Sequence, residues 1–289
     1  MTSGRPAPGG ASAAPSSRTV HVRAEVLSRK KVGRYHHLTL VAPGVAERHR
    51  PGTFVAVSVG GPDSARLARR AFWVLRARPA GAYGGTVELL VAERGAGTRW
   101  LTTLAPGATV PLTGPLGRPF ALPREAVACT LVGHSEGVAA LQSLAERLKE
   151  RGCTVHVVLA AADEAGLYGA LEARRAARTV QVVTEDGSVG LRGRLPDLLP
   201  GLLEAQAPDV VYAAGPTAVL HAAAAAAEQR GAWSQVALTG PMPCATGHCL
   251  GCAVPVVGED AVARSVRACV DGPVLRGDRV RWDAWGAPA

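Results

Sequence analysis

The chain has 289 residues, of which 47% are hydrophobic and 19% charged, and it carries a formal net charge of +9. A chain of this length can bury a sizeable core and is long enough for two domains and a short module. The positive charge would suit a nucleic acid, but the arginines are scattered and aromatic residues make up only 4%, so basic runs and stacking platforms are both scarce. The composition therefore argues against nucleic-acid binding and indicates a globular protein.

Residues 1–17 consist mostly of Pro, Gly, Ser and Ala. This composition predicts a disordered tail, because too few apolar side chains are present to offset the entropy of ordering them. The tail lacks the apolar core of a signal peptide, and no later stretch approaches the ~20 consecutive apolar residues that span a bilayer. We expect a soluble, cytoplasmic protein without membrane contact.

Residues 18–122 have the pattern of a small antiparallel β-barrel. Apolar and polar residues alternate in RTVHVRAEVL, HHLTLVA and TFVAVSV, and TVELLVAE predicts a further strand. Pro and Gly punctuate the segments between them, at a spacing that suits a closed barrel of short strands.

Residues 123–240 alternate between predicted strands and predicted helices. The strands are ACTLVG, TVHVVLA, TVQVVTE, DVVYAAG and QVALTG, and the helices are EGVAALQSLAERLKERG, GLYGALEARRA, LPDLLPGLLEAQ and TAVLHAAAAAAEQRG. Such alternation implies a Rossmann-like parallel α/β domain, an architecture that binds dinucleotides at the carboxyl ends of its strands.

Residues 241–289 hold four of the six cysteines, in the spacing C-x4-C-x2-C-x16-C. This is the plant-type pattern for a [2Fe-2S] cluster, in which three thiolates come from one loop and the fourth from a later segment. Gly247 and Gly251 let the loop turn so that backbone amides can point at the sulfurs. The spacing predicts a small C-terminal [2Fe-2S] module with the ligands Cys244, Cys249, Cys252 and Cys269.

Two other interpretations of this motif stay open, a zinc site and a chance arrangement. Zinc also takes four thiolates, although zinc sites usually combine two C-x2-C pairs and this region contains one. His248 lies inside the loop and is interpreted as a bystander, since four thiols are at hand. Cys129 and Cys153 stand in apolar segments and are predicted to be ordinary core residues.

Barrel, nucleotide-binding fold and [2Fe-2S] module, in this order, resemble the electron-transfer subunits of NAD-linked dihydroorotate dehydrogenase, within the ferredoxin reductase superfamily. The resemblance covers nearly the whole chain after residue 18. Its most specific part is CATGHCLGCAVP followed by ACVDGPVL, and the other matching segments are PGTFVAV, GAGTRWL, GPLGRPF, TEDGSVGLRG and AGPTAVL.

The resemblance implies an FAD site in the barrel domain and a nicotinamide site in the α/β domain. A guanidinium suits a phosphate, and by alignment Arg70 is the arginine that pairs with the FAD phosphate. The loop 95–98 corresponds to the one that brings backbone amides to the flavin pyrophosphate. The implied cofactor-binding residues are Arg70, Ala71, Phe72, Trp73, Gly95, Gly97 and Thr98 for FAD, and Gly133, Gly137, Gly215 and Pro216 for NAD.

Three departures from the family pattern surround the expected meeting point of flavin and nicotinamide. Trp73 replaces a serine, and its indole would either shield the flavin ring or fill the barrel. His134, Ser135 and Glu136 occupy the glycine-rich nucleotide loop, where Glu136 would either repel a pyrophosphate or cap the following helix. Ala214 replaces a cysteine. We expect these changes to weaken NAD use.

The function implied by the resemblance is an electron relay. FAD would exchange a hydride with NAD and single electrons with the cluster, which would serve an FMN-containing catalytic subunit that oxidises dihydroorotate, in a hetero-oligomer of pyrimidine biosynthesis. Two alternatives stay open: a similar reductase with another partner and weakened or lost NAD use, and a non-catalytic cluster-carrying assembly subunit.

Overall fold

The computed structural model of the protein describes residues 19–61 and 63–286. The tail predicted at 1–17 lies outside this range. Two domains follow one another along the chain, an antiparallel barrel and a parallel α/β sheet, as the sequence predicted. None of the helices within the described residues is long and apolar enough to cross a membrane.

Six antiparallel strands close the barrel, and a short helix α1 (Ala96–Leu101) follows the fifth. The strands are β1 (Val20–Val32), β2 (Tyr35–Val41), β3 (Phe54–Val57), β4 (Arg70–Arg78), β5 (Thr86–Ala92) and β6 (Thr109–Leu116), paired in the order β1-β2-β5-β4-β3-β6. Strands β4 and β6 are not among the strands predicted from the sequence. Pro and Gly inside β6 depress its strand propensity, and β4 buries residues on both faces near its centre, so it shows no clean alternation.

The α/β domain is built on six parallel strands: β7 (Ala128–His134), β8 (Thr154–Ala161), β9 (Thr179–Thr184), β10 (Leu191–Arg192), β11 (Val210–Gly215) and β12 (Trp233–Leu238). Its helices are α2 (Gln142–Glu150), α3 (Ala170–Ala176), α4 (Leu195–Gln206) and α5 (Thr217–Gln229). The first predicted helix is shorter than expected, because residues Ser135–Ala140 form a separate 3-10 helix before α2.

The C-terminal region adds a two-stranded sheet and then returns to the α/β domain. Strands β13 (Ala253–Val257) and β14 (Ala263–Arg267) pair with each other, and β15 (Val274–Arg276) pairs antiparallel with β12. The large sheet therefore has the order β10-β9-β8-β7-β11-β12-β15. Its order reverses between β7 and β11, which is the point where open α/β sheets bind their ligands.

Three arginines of the barrel domain pair with acidic residues of the α/β domain. Arg34 reaches Asp163, Arg76 Nη2 lies 2.8 Å from Glu146 Oε1, and Arg94 pairs with Glu136. The turn between β1 and β2 also docks through its backbone, since the Arg34 amide donates to the Ala165 carbonyl at 2.9 Å. These contacts fix how the barrel faces the carboxyl ends of the sheet strands.

Candidate functional site

A cavity of about 570 Å³ opens where the barrel meets the α/β domain. One wall comes from β4, β5 and the loop before α1, and the other from the residues that end β7, β11 and β12. The cavity thus lies over the point where the strand order reverses. The predicted cofactor residues that line it are Arg70, Ala71, Phe72, Trp73, Thr98, Gly137, Gly215 and Pro216, whereas Gly95, Gly97 and Gly133 adjoin lining residues.

Arg70 directs its guanidinium to the barrel side of this cavity. Its Nη1 donates to the carbonyls of Ala68 at 2.8 Å and Arg69 at 3.3 Å, and within the described residues no carboxylate pairs with it. Gly97 makes room for the group, because a Cβ at Gly97 would lie 3.0 Å from Arg70 Nε and 2.9 Å from Val59 Cγ2. A positioned guanidinium without a carboxylate is free to bind an anionic ligand.

The loop before α1 is held by Thr98. The Thr98 hydroxyl oxygen accepts from the amides of Arg94 at 2.9 Å and Gly95 at 3.0 Å, and the hydroxyl donates to the Gly95 carbonyl at 3.0 Å. The Gly95 amide, which the resemblance assigns to the flavin pyrophosphate, is thus already engaged by Thr98. The hydroxyl of Thr98 sets the shape of the loop beside Arg70.

Trp73 packs against its neighbours and also lines the cavity. Its indole lies edge-on to Phe54, with ring centroids 6.5 Å apart. The ring packs against the apolar cluster that contains Phe54, and it gives this part of the cavity wall an apolar surface. A serine at this position would leave that part of the wall open.

The nucleotide loop is compressed against β11. A Cβ at Gly137 would lie 2.6 Å from the Ala214 carbonyl oxygen, so this glycine allows the 3-10 helix to touch the strand. Gly215 is crowded in the same way, with His134 Cβ at 2.8 Å from the position of an added Cβ. Gly137 and Gly215 line the floor of the cavity, and each lacks a side chain because the neighbouring protein atoms leave no room for a Cβ.

Glu136 does not stand as an uncompensated charge at this floor. Arg94 Nε donates to Glu136 Oε1 at 2.7 Å, and Arg94 Nη2 contacts the same oxygen. Sequence reasoning missed Arg94, since the two residues belong to different domains and no local pattern joins them. The neighbouring His134 is mostly buried, which lowers its pKa, although the carboxylates of Glu185 and Glu136 oppose that shift.

The predicted cluster cysteines occupy the loop before β13 and the segment before β15. Cys252 and Cys269 are buried with their sulfurs 3.3 Å apart, while Cys244 is partly exposed and Cys249 exposed. Cys249 lies close enough to Cys244 to contribute to lowering the pKa of its thiol. The four thiols therefore form two pairs, Cys244 with Cys249 and Cys252 with Cys269.

Backbone amides point at the sulfurs, as the glycine-rich loop predicted. The Thr246 amide lies 3.5 Å from Cys244 Sγ, and the Gly251 amide lies 3.4 Å from Cys249 Sγ. Burial disfavours the Cys244 thiolate, but the amides of Cys249, Thr246 and His248 outweigh it and lower the pKa of Cys244 to about 5. The loop thus stabilises negative charge on sulfur before any metal is bound.

The arrangement of the thiols fits a two-iron cluster. A [2Fe-2S] cluster takes two protein ligands on each iron, which is what two thiol pairs offer. Burial and the Cys252 thiol raise the pKa of Cys269 to about 12, so this thiol keeps its proton until a metal cation binds.

We expect the protein purified without oxygen to contain about two iron atoms and two acid-labile sulfides per chain, because four thiolates in two pairs match one [2Fe-2S] cluster. Metal analysis and a sulfide assay on the same sample measure this ratio. One zinc per chain without sulfide would show that the thiols serve a mononuclear site instead.

The class of the protein follows from three features: an antiparallel barrel, a parallel sheet whose strand order reverses beside the cavity, and a site of four thiols. Together they define a two-domain reductase fold followed by an iron-sulfur module. Residues 240–281, which include all four thiols, match the family model described as the iron-sulfur cluster binding domain of dihydroorotate dehydrogenase B. The solved structure titled for the NADH-dependent reduced ferredoxin-NADP oxidoreductase covers 91% of both chains with a TM-score of 0.78 and 28% identity.

Relatives that span nearly the whole chain identify its family. The dihydroorotate dehydrogenase B (NAD(+)) electron transfer subunit of Geobacillus kaustophilus is 34% identical over 263 residues, covering 89% of this chain and 97% of the relative. That of Desulforamulus reducens is 29% identical over 248 residues, covering 86% and 93%. The chain belongs to the family of dihydroorotate dehydrogenase B electron transfer subunits. The family expected from the cysteine motif is confirmed.

A more distant structure confirms the fold alone. The ferredoxin NADP+ reductase of Neisseria gonorrhoeae, solved with bound FAD and NADP, is 16% identical to this chain and covers 74% of it and 92% of its own length, with a TM-score of 0.59. The antiparallel barrel and parallel α/β domain predicted from the sequence are thus those of the ferredoxin reductase fold.

Proposed function

We propose that the chain relays electrons between NAD, FAD and a [2Fe-2S] cluster on behalf of a dihydroorotate dehydrogenase catalytic subunit. The observation that carries this proposal is that the cavity and the thiol loop share a wall. Gly240, Pro241 and Met242 line the cavity, and Cys244 follows two residues later, within about 7 Å of Met242 along the chain. A flavin in the cavity would therefore lie next to the cluster.

The wall between the two sites is packed rather than open. Met242, Ala245, Cys252 and Cys269 are all buried in one apolar cluster that also includes Phe54 of β3. Packed interiors are dense and low in compressibility, so the spacing between cavity and thiols varies little. A fixed, short separation suits the transfer of single electrons.

Each group of residues would have one task in this relay. When bound, FAD would take up an electron pair from the nicotinamide and pass electrons singly to the cluster. Arg70 would hold an FAD phosphate, with Ala71, Phe72, Trp73, Gly95, Gly97 and Thr98 forming the rest of the flavin site. Gly133, Gly137, Gly215 and Pro216 would receive the nicotinamide, and Trp73 would keep water from the flavin ring.

The partner in this proposal is an FMN-containing subunit that oxidises dihydroorotate, docked beside the cluster loop and the segment around Cys269. The names of the curated relatives support such a partner, since each is an electron transfer subunit of dihydroorotate dehydrogenase B. We divide the chain accordingly into an FAD domain at 18–122, an NAD domain at 123–240 and a cluster module at 241–289. The free thiols of Cys244, Cys249, Cys252 and Cys269 fit a cytoplasmic location, where such thiols stay reduced.

One set of observations favours a second candidate, a reductase of the same build with reduced NAD use and another partner. Trp73 lines the cavity, Glu136 places a carboxylate in the same lining, and β11 carries Ala214 where the family has a cysteine. A flavin spectrum with slow reduction by NADH would support this candidate. A sample without flavin would point instead to a cluster carrier for assembly.

We expect the isolated chain to leave dihydroorotate unchanged. Together with its catalytic subunit, the chain should couple dihydroorotate oxidation to NAD+ reduction. The cavity lining includes His134 and Glu136, but Glu136 is paired with Arg94, and the sequence carries no recognisable dihydroorotate site with a general base for carbon deprotonation. Orotate and NADH formation, followed by absorbance with and without the co-purified subunit, test this. Turnover by the isolated chain would contradict the division of labour.

A further inference from the structure

An ion pair in the lining of the cavity joins one domain to the other. Arg94 lies two residues after the barrel strand β5, and Glu136 lies in the 3-10 helix that follows β7. Arg94 Nε donates to Glu136 Oε1 at 2.7 Å, and both side chains line the cavity. This pair, the Arg94–Glu136 bridge, lines the same cavity as Gly137 and Gly215.

The Arg94–Glu136 bridge is exposed to solvent, so a ligand can displace one partner from the other. The Arg94 side chain is 71% exposed and that of Glu136 29% exposed, so water screens the pair and competes for both groups. Such a pair adds little to stability, and a ligand that offers the guanidinium a better anion can displace the carboxylate. A phosphate is such an anion, because the guanidinium fork matches its oxygens as well as it matches a carboxylate.

Resting on the proposed function, we propose that the Arg94–Glu136 bridge is a charge-exchange gate for the nicotinamide dinucleotide: the pyrophosphate takes the place of Glu136 on the Arg94 guanidinium. Glu136 thus acts against the dinucleotide in two ways, as a competitor for Arg94 and as a nearby like charge. Arg94 and Glu136 together set the affinity for the dinucleotide, and Arg94 lies outside the glycine-rich nucleotide loop.

Two models of the bridge predict couplings of opposite sign in a double-mutant cycle: exchange of Glu136 for the phosphate on Arg94, and simple repulsion of the phosphate by Glu136. If the phosphate must take Arg94 from Glu136, then Glu136→Gln helps binding more when Arg94 is present, since it removes both competition and repulsion. If Arg94 only neutralises Glu136, then Glu136→Gln helps more when Arg94 is absent, because the bare carboxylate repels the phosphate without compensation. The sign of the coupling therefore distinguishes the two.

The test is calorimetric titration of NAD+ into the oxidised, FAD-loaded full chain and its variants Glu136→Gln, Arg94→Gln and the double variant. We expect Glu136→Gln to tighten binding about tenfold with Arg94 present and by less than about threefold in the Arg94→Gln background. Unchanged flavin content and melting temperature show that the variants fold. Coupling of the opposite sign, or no effect of Glu136→Gln in either background, would overturn the proposal.

A matched control uses the pair of Arg76 and Glu146, which also joins the two domains, at 2.8 Å, but does not line this cavity. The same double-mutant cycle at Arg76 and Glu146 should show no coupling in NAD+ affinity. Coupling of similar size at this control pair would mean that the effect comes from the orientation of the domains, and it would contradict the proposed gate. If neither the unmodified protein nor any variant binds NAD+, both the proposed use of NAD and the proposed gate are wrong. If NAD+ binds equally well to the unmodified protein, Glu136→Gln, Arg94→Gln and the double variant, only the proposed gate is wrong.

Discussion

A Cys249→Ser chain purified without oxygen should retain little iron or acid-labile sulfide and should lose the visible absorption of the cluster. Cys249 is exposed, yet it belongs to the thiol site, because its sulfur accepts from the Gly251 amide at 3.4 Å and it helps to lower the pKa of Cys244. A serine hydroxyl stays protonated at neutral pH and is a poor ligand for iron in a sulfur site. Since loss of an outer partner alone costs about 10- to 100-fold in metal affinity, loss of a ligand should lower iron content by at least about tenfold.

The matched control is Cys153→Ser. Cys153 is buried in the core of the α/β domain beside Cys129, away from the thiol loop. This variant should keep its iron and sulfide per folded chain even if its melting temperature falls. Equal loss of iron in both variants would mean that the cluster depends on general stability or on other thiols.

An Arg70→Ala chain should bind FAD about ten- to a hundredfold more weakly than the unmodified chain, because a charge-assisted hydrogen bond contributes about 1.5–3 kcal/mol. Arg70 lines the cavity and lies against Gly97, with carbonyl contacts that orient its guanidinium. Fluorescence titration of the flavin-free chain with FAD measures the dissociation constant directly. Iron content should not change, since the cysteine loop is untouched.

Arg69→Ala is the control for Arg70, because the two arginines are adjacent and carry the same charge. Arg69 is turned to the other side of the strand, where Nη1 donates to the Thr113 hydroxyl at 2.7 Å. We expect its removal to leave FAD affinity within about threefold of the unmodified chain, which is the size of a screened surface charge effect. If Arg69→Ala weakened FAD as much as Arg70→Ala, the effect would come from net charge rather than from a placed guanidinium.

The parts of the fold that the sequence predicted are those encoded by local patterns. The helix α4 occupies the residues expected for it, and β7, β8, β9, β11 and β12 each lie within or beside their predicted segments. Apolar periodicity is sufficient there, because burial on one or both faces repeats along the element itself. The four-cysteine spacing is informative for the same reason, since three of the thiols share one short loop.

The features that escaped prediction depend on contacts between distant segments. The 3-10 helix at Ser135–Ala140 forms where Gly137 is pressed against the backbone of Ala214, a contact that helix propensity does not encode. Strand β15 is three residues long and is a strand only because β12 offers it an edge. Arg94 and Glu136 are 42 positions apart in the chain, and only the docking of the two domains brings them together.

Strand β15 covers one side of β12, and this cover helps to prevent self-association of the protein. Strand β12 is almost entirely buried, and β15 pairs with it along Gln235, Val236 and Ala237. An unpaired edge of this kind is a template for strands from other molecules, and proteins cover such edges to prevent aggregation. Because Cys269 lies five residues before β15, the segment that completes the thiol site is also the cover of the sheet. A chain that ended after the cysteine loop would lose its fourth thiol and expose an aggregation-prone edge in one step.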